Sequence, residues 1–136
     1  MSTDMKVKDY MSRDLVKFFP DMDVLEAARI LLEKRISGAP VVDQVGNLVG
    51  MLSEKDCMRM ALAAGYHEQW GGCVHEYMEK DVVTMEADTG IVDAAKQFTE
   101  SRHRRFPVIA EGRLVGQISR RDVLRALSTM WWTGKA

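Results

Sequence analysis

Ser53 and Asp56 stand three residues apart, and so do Ser119 and Asp122. Each pair opens a run with helical spacing, "SEKDCMRMAL" in one case and "SRRDVLRAL" in the other. A hydroxyl followed at that spacing by a carboxylate has two kinds of work open to it. One is a capping box, in which the serine oxygen and the carboxylate satisfy backbone N–H groups at the helix start. The acid is also favoured there by the helix dipole. The other is ligation. A first-turn carboxylate can accept hydrogen bonds from both hydroxyls of a ribose. The open N–H groups of the same turn can meet a phosphate. The two roles are compatible, and the residues alone leave both open.

A second stretch, "SRHRRF", places Arg104 and Arg105 just before an apolar run. Guanidinium groups match phosphate oxygens in bidentate fashion; the alternative is an exposed basic turn. Arg120 and Arg121 follow Ser119, whereas Glu54 and Lys55 follow Ser53. Charge is uneven along the chain. Residues 61–95 hold one Lys against seven Asp and Glu, and residues 96–136 hold nine Lys and Arg against three. With a net charge of -1, this suggests a local anion site and not a nucleic-acid binder. His67, Cys73 and His75 in a glycine-rich stretch are a weak metal signal. Cys57 beside Asp56 reads as packed. No paired nucleophile and base and no Walker-type loop appear, so the chain is expected not to be an enzyme.

These groups need a frame. Tyr10-Met11 matches Tyr77-Met78 at an offset of 67, as do Asp14 and Asp81, Ala27-Ala28 and Ala94-Ala95, and Pro40-Val41 and Pro107-Val108. One residue is lost in the turn near Asp43, and the offset becomes 66 for Gly46 and Gly112, Gly50 and Gly116, Ser53 and Ser119, and Asp56 and Asp122. The chain is one unit written twice. "LVKFF" and "VVTM" read as short strands. "DVLEAARILLEKR" and "GIVDAAKQFTESR" read as helices, with Asp23 and Glu26 as a box-like start and Gly90 as a weaker cap. "APVVD" with "LVGMLS", and "FPVIA" with "LVGQIS", read as strand pairs around "QVGN" and "EGR". "EKDCMRMALAA" and "RRDVLRALSTM" close each copy as helices, and the order is β-α-β-β-α. The expected class is α/β (α+β), with two sheets packed face to face and helices outside. Neither copy alone buries much surface. Boundaries are expected at 1–66, 67–76 for the joining loop, and 77–136. Trp131 and Trp132 are expected beyond the last helix, closing the core or at a subunit interface.

The Pro-Val strand, Gly-x-Leu-Val-Gly and Ser-x-x-Asp, in two copies from about Val7 to Leu127, resemble a pair of cystathionine β-synthase (CBS) domains, a Bateman module. The resemblance implies a regulatory module that binds AMP, ADP, ATP, NAD, S-adenosylmethionine or cyclic dinucleotides in clefts between the repeats. It carries ribose binding onto Asp56 and Asp122, with Ser53 and Ser119 as neighbouring contacts. It carries adenine contact onto backbone groups of Ser37, Gly38 and Ala39, and of Arg104, Arg105 and Phe106. Lys17 and Thr84, beside Val16 and Val83, would flank the cleft. Arg104-Arg105 stands where a His-Arg pair contacts phosphates in the gamma subunit of AMP-activated protein kinase. Arg104, Arg105 and Arg120 near Asp122 make that cleft the one expected to favour phosphate. The family also implies a flat homodimer; with no catalytic or transport domain attached, a regulated target, if one exists, is expected to be a separate chain. No cofactor is required beyond the regulatory nucleotide. The alternative function is a scaffold that dimerises without ligand. The charged N-terminal stretch lacks a signal-peptide core, and no apolar run approaches a membrane span. Two isolated cysteines suit a reduced setting, so a cytoplasmic chain is expected.

Overall fold

The computed structural model describes residues 5–67 and 71–132, with the side chains of 65–67 outside the description. The elements follow the expected order except that the first copy has no opening strand among the described residues. They are α1 (Val24–Lys34), β1 (Gly38–Val42), β2 (Leu48–Ser53), α2 (Glu54–His67), β3 (Met85–Glu86), α3 (Ile91–Thr99), β4 (Arg105–Ala110), β5 (Arg113–Ser119) and α4 (Arg120–Trp132). Short 3-10 turns lie at Val7–Asp9 and Val74–Glu76. The class is mixed α and β, with antiparallel β1-β2 as one sheet and β3-β4-β5 as the other.

Local chemistry sets these bounds. The Asp23 side chain accepts a hydrogen bond from Leu25 N at 2.9 Å and starts α1. Glu26 does not complete a box there; it pairs with Arg29. The β4-β5 hairpin turns on Glu111 and Gly112, both at positive φ (54° and 80°). A two-residue loop with both φ values positive matches the twist of its strands, and glycine takes that conformation without strain. The strand expected in "LVKFF" shrinks to a single parallel bridge, Phe18 to Val41. Phe18 N donates to Pro40 O and Val42 N to Phe18 O, both at 2.9 Å. Pro20 follows and offers no N–H to continue the ladder. Its repeat twin β3 pairs in parallel with β4, Met85 opposite Val108. Helix α2 runs further than expected, through Gly65 to His67. Ala61, Ala63 and Ala64 favour helix, and one glycine costs only about 1 kcal/mol. Trp131 and Trp132 form the end of α4 and are exposed, so they do not close the core of this chain.

The packing units cut the chain differently from the repeats. One unit gathers Met1–Leu15 with Val83–Ala136, and the other is Val16–Val82. The segment preceding each repeat's first strand packs with the other repeat's body. Ser12 and Gln117 exchange backbone hydrogen bonds at 2.8 and 2.9 Å, and Met51 and Glu79 do the same at 2.9 and 2.8 Å. Phe106, Val108, Ile91 and Ile118 anchor one core, and Phe18, Leu31, Val41 and Leu52 anchor the other. Sizes are exchanged between twins: Phe18 shares its core with Ala39, and Met85 shares the other with Phe106. Summed volume is what a core conserves best.

The second glycine of each Gly-x-Leu-Val-Gly makes these crossings possible. A Cβ on Gly116 would stand 2.5 Å from Met11 Sδ and 2.8 Å from Ser12 O; one on Gly50 would stand 2.6 Å from Met78 Sδ and 3.0 Å from Glu79 O. The thioethers can bend away, but the carbonyls are fixed by the ladder. Gly116→Ala is therefore expected to destabilise by about 1–3 kcal/mol in chemical denaturation. Gly90→Ser, where an added Cβ meets nothing within 4 Å, should be neutral or slightly stabilising as a better cap. Equal effects at the two sites would contradict the close-approach account.

Candidate functional site

Strand β2 ends at Ser53 and α2 begins at Glu54; β5 ends at Ser119 and α4 begins at Arg120. No loop intervenes, so each helix N-terminus stands at the end of a strand. The capping box is built in both copies. Ser53 N donates to Asp56 Oδ2 at 2.8 Å, and Asp56 N donates to Ser53 Oγ at 3.2 Å. Ser119 N donates to Asp122 Oδ2 at 2.9 Å, and Asp122 N donates to Ser119 Oγ at 3.1 Å. Ser53 Oγ adds a bond to Asp56 Oδ2 at 2.9 Å.

The other carboxylate oxygen is engaged as well. Asp56 Oδ1 pairs with Arg59, and Asp122 Oδ1 pairs with Arg125 at 3.3 Å. Each arginine also donates at 3.4 Å to a tyrosine carbonyl of the crossing segment, Arg59 to Tyr77 O and Arg125 to Tyr10 O. Asp-x-x-Arg at the i,i+3 spacing is thus a second repeated motif, and neither arginine was singled out in the sequence. The repeat at offset 66 carried the signal. The two copies differ in access: the Asp56 side chain is 7% exposed and that of Asp122 is 17%.

The remaining candidates fall around these boxes. Glu54 N donates to Ser37 O at 2.9 Å, and Arg120 N donates to Arg104 O at 3.0 Å. Gly38 lies opposite Ser53, and Arg105 opposite Ser119. Within the second unit the backbones of Arg104, Arg105 and Arg120 therefore adjoin the Ser119–Asp122 box. Within the first, the backbones of Ser37 and Gly38 adjoin the Ser53–Asp56 box. Lys17, Ser37, Arg104, Arg105 and Arg120 are exposed. Thr84 is half-buried just ahead of β3, and Lys17 holds the matching place ahead of Phe18. Ala39 and Phe106 send their side chains into the cores; only their backbone is left for a ligand. Val83 is exposed and Val16 packs against the core of its unit.

The electrostatics of the copies diverge. Asp122 pairs with Arg125, and Arg120 and Arg121 precede it in the chain, whereas Asp56 pairs with Arg59 and has Glu54 two residues before it. The Cys57 thiol beside Asp56 is pushed above its ordinary pKa, first by burial and then by the Asp56 and Glu54 charges. That is the environment of an inert thiol. Among the described residues no group of His, Cys, Asp and Glu could hold a metal ion; the His67 side chain lies outside the description. Among the described residues no helix is long and apolar enough to cross a membrane.

A family model for the CBS domain matches residues 7–63 and again 74–129. Among solved structures, CBSX2 in complex with AMP is similar at a TM-score of 0.79 and 30% identity, over 93% of this chain and 98% of that one. CBSX2 is a protein of Arabidopsis thaliana. The CBS domain pair of protein MJ0100, with 5′-methylthioadenosine and S-adenosyl-L-methionine, is similar at 0.70 and 27%, over 92% of this chain and 97% of that one. Protein MJ1225 of Methanocaldococcus jannaschii is 28% identical over 92% of this chain, which spans 44% of that protein. The chloroplastic CBSX1 of Arabidopsis thaliana is 31% identical over 88% of this chain, which spans 63% of that protein.

Removing the box should cost more where it is more buried. Asp56→Ala is expected to lower stability by about 1–2 kcal/mol, and Asp122→Ala by less. Asp56→Asn, which still offers an oxygen to Ser53 N, should fall between wild type and Asp56→Ala. Urea denaturation checks the order; an Asp122→Ala loss exceeding that of Asp56→Ala would contradict it.

Proposed function

The chain belongs to the CBS-domain family, with one domain in each half, and on that premise we propose that it is a regulatory module binding an adenosine-containing ligand. The observation that carries this reading is the Asp122 carboxylate, held by Ser119 N at a helix start where the backbones of Arg104, Arg105 and Arg120 adjoin. In the proposed complex Asp122 accepts the ribose hydroxyls, with Arg125 yielding some of its hold on Oδ1. The arginines meet phosphate, and backbone of residues 104–106 meets the base. Thr84 lines the site. The ligands of the similar proteins support the class, because AMP, 5′-methylthioadenosine and S-adenosylmethionine share adenosine. Asp56, with Ser53, Ser37, Gly38, Ala39 and Lys17, forms a second and weaker site. Its carboxylate is less accessible, and Glu54 repels phosphate.

The module performs no chemical step in this reading. It reports ligand to a separate protein, as a homodimer in the cytoplasm. Exposed Met58 and Leu62 on α2 in one unit, and exposed Leu124, Trp131 and Trp132 on α4 in the other, each support an association surface. The same residues favour the second reading, a scaffold that associates without ligand.

Calorimetry with AMP and adenosine separates the two. Wild type should bind AMP more tightly than adenosine, and the difference should fall with added salt and shrink in Arg105→Ala. Asp122→Ala should weaken both ligands by about 1.5–3 kcal/mol. Equal binding of AMP and adenosine would remove the arginines from the site, and no binding of either would leave the scaffold reading.

A further inference from the structure

Among the described residues, Gln117 Nε2 is the buried side-chain polar atom without a hydrogen-bond partner. Turning the amide over exchanges Nε2 for Oε1 at that position. The backbone gives no relief, because Gln117 N and O are both committed to Ser12, at 2.9 and 2.8 Å. Buried polar groups without partners are unfavourable and uncommon, so each asks for a reason.

The fold does not supply one. Met51 is the repeat twin of Gln117, two residues before Ser53 as Gln117 is before Ser119. Met51 makes the same pair of backbone bonds, to Glu79 at 2.9 and 2.8 Å. A thioether therefore serves this place in the ladder, and the carboxamide is an addition peculiar to the second copy. Its position suggests its use. Residues two apart on a strand share a face, about 7 Å apart, and directly opposed residues share a face across the pair. Arg105 lies opposite Ser119, and Pro107 opposite Gln117. Arg105, Gln117 and Ser119 thus project from one face of β4-β5, while Phe106, Val108 and Ile118 fill the core on the other.

We propose that Gln117 is the base-reading residue of the Asp122 site and selects adenine. The assignment rests on the adenosine reading above and adds to it a specificity determinant. A carboxamide accepts from the adenine N6 amino group and donates to N7 at once. Hypoxanthine presents two acceptors at those positions and satisfies only one end. The backbone of residues 104–106 can bind any purine; Gln117 distinguishes them. Met51 cannot, and the Asp56 site does not discriminate.

The test is calorimetry of AMP and IMP on wild type and on Gln117→Met, with thermal unfolding of both free proteins. Wild type should prefer AMP over IMP by roughly 5- to 100-fold. Gln117→Met should bring AMP down to the affinity of IMP without lowering the unfolding midpoint, because the twin position already accepts methionine. An undiminished preference in Gln117→Met overturns the assignment while leaving the adenosine reading intact. So does a wild type that binds both nucleotides equally. A lowered midpoint in Gln117→Met makes the amide structural and also overturns it. If wild type binds no AMP, the adenosine reading falls, and this inference falls with it.

Discussion

At Gly50 and Gly116 a strand has room for a passing backbone and for nothing else. A Cβ at either place would press on the carbonyl of Glu79 or Ser12, at 3.0 and 2.8 Å. Those carbonyls are themselves ladder acceptors for Met51 N and Gln117 N. The close approach brings the Tyr77-Met78 and Tyr10-Met11 segments onto the edges of β2 and β5. Once there, the tyrosine carbonyls lie within reach of Arg59 and Arg125, which hold Asp56 and Asp122, which cap α2 and α4. Each Ser-x-x-Asp box is local, but the arginine that holds its carboxylate also reaches a carbonyl far away in sequence. Residues with no chemistry of their own decide where the carboxylates stand.

Duplication explains what the copies share, and divergence sets their charge apart. The buried frame is common: the glycines, the boxes, the Asp-x-x-Arg pairs and the crossing ladders. The differences cluster beside the two boxes. Ser37 and Gly38 correspond to Arg104 and Arg105, Glu54 to Arg120, and Met51 to Gln117. Three of the four raise positive charge in the second copy, while at Gly38 an added Cβ would stand 3.1 Å from Leu52 O. A frame that tolerates both sets leaves charge and hydrogen-bonding capacity free to specialise one copy.

Much of the fold was legible because it is local. Asp23 caps α1, glycines turn the hairpins, and the 3.6-residue spacing in "DVLEAARILLEKR" gives α1 nearly to the residue. "LVKFF" was overread because its β-branched and aromatic content says nothing about how soon Pro20 ends the pairing. The crossing segments were invisible for a different reason. "YMSRD" and "YMEKD" have no periodicity to read, and what holds them is a pair of glycines far away in sequence. The site was legible as types and spacing. Ser-x-x-Asp is realised as the capping box, which is compatible with ligation but does not establish it. Strand parity separates Phe106, which points into the core, from Arg105, which does not. The roles of Arg59 and Arg125 depend on a backbone carbonyl, a group every residue carries, so composition could not reveal them.

The central claim is that the N-terminal segment is part of the body formed by residues 83–136. Residue-resolved native-state hydrogen exchange tests it most directly, because amides in one cooperative unit open together. Ser12 N–H, bonded to Gln117 O at 2.8 Å, should be protected and should open with Gln117 and Ile91 as denaturant rises. Ser12 exchanging at the rate of an unstructured amide while Gln117 stays protected would contradict it, as would Ser12 opening in step with the strands of residues 16–82.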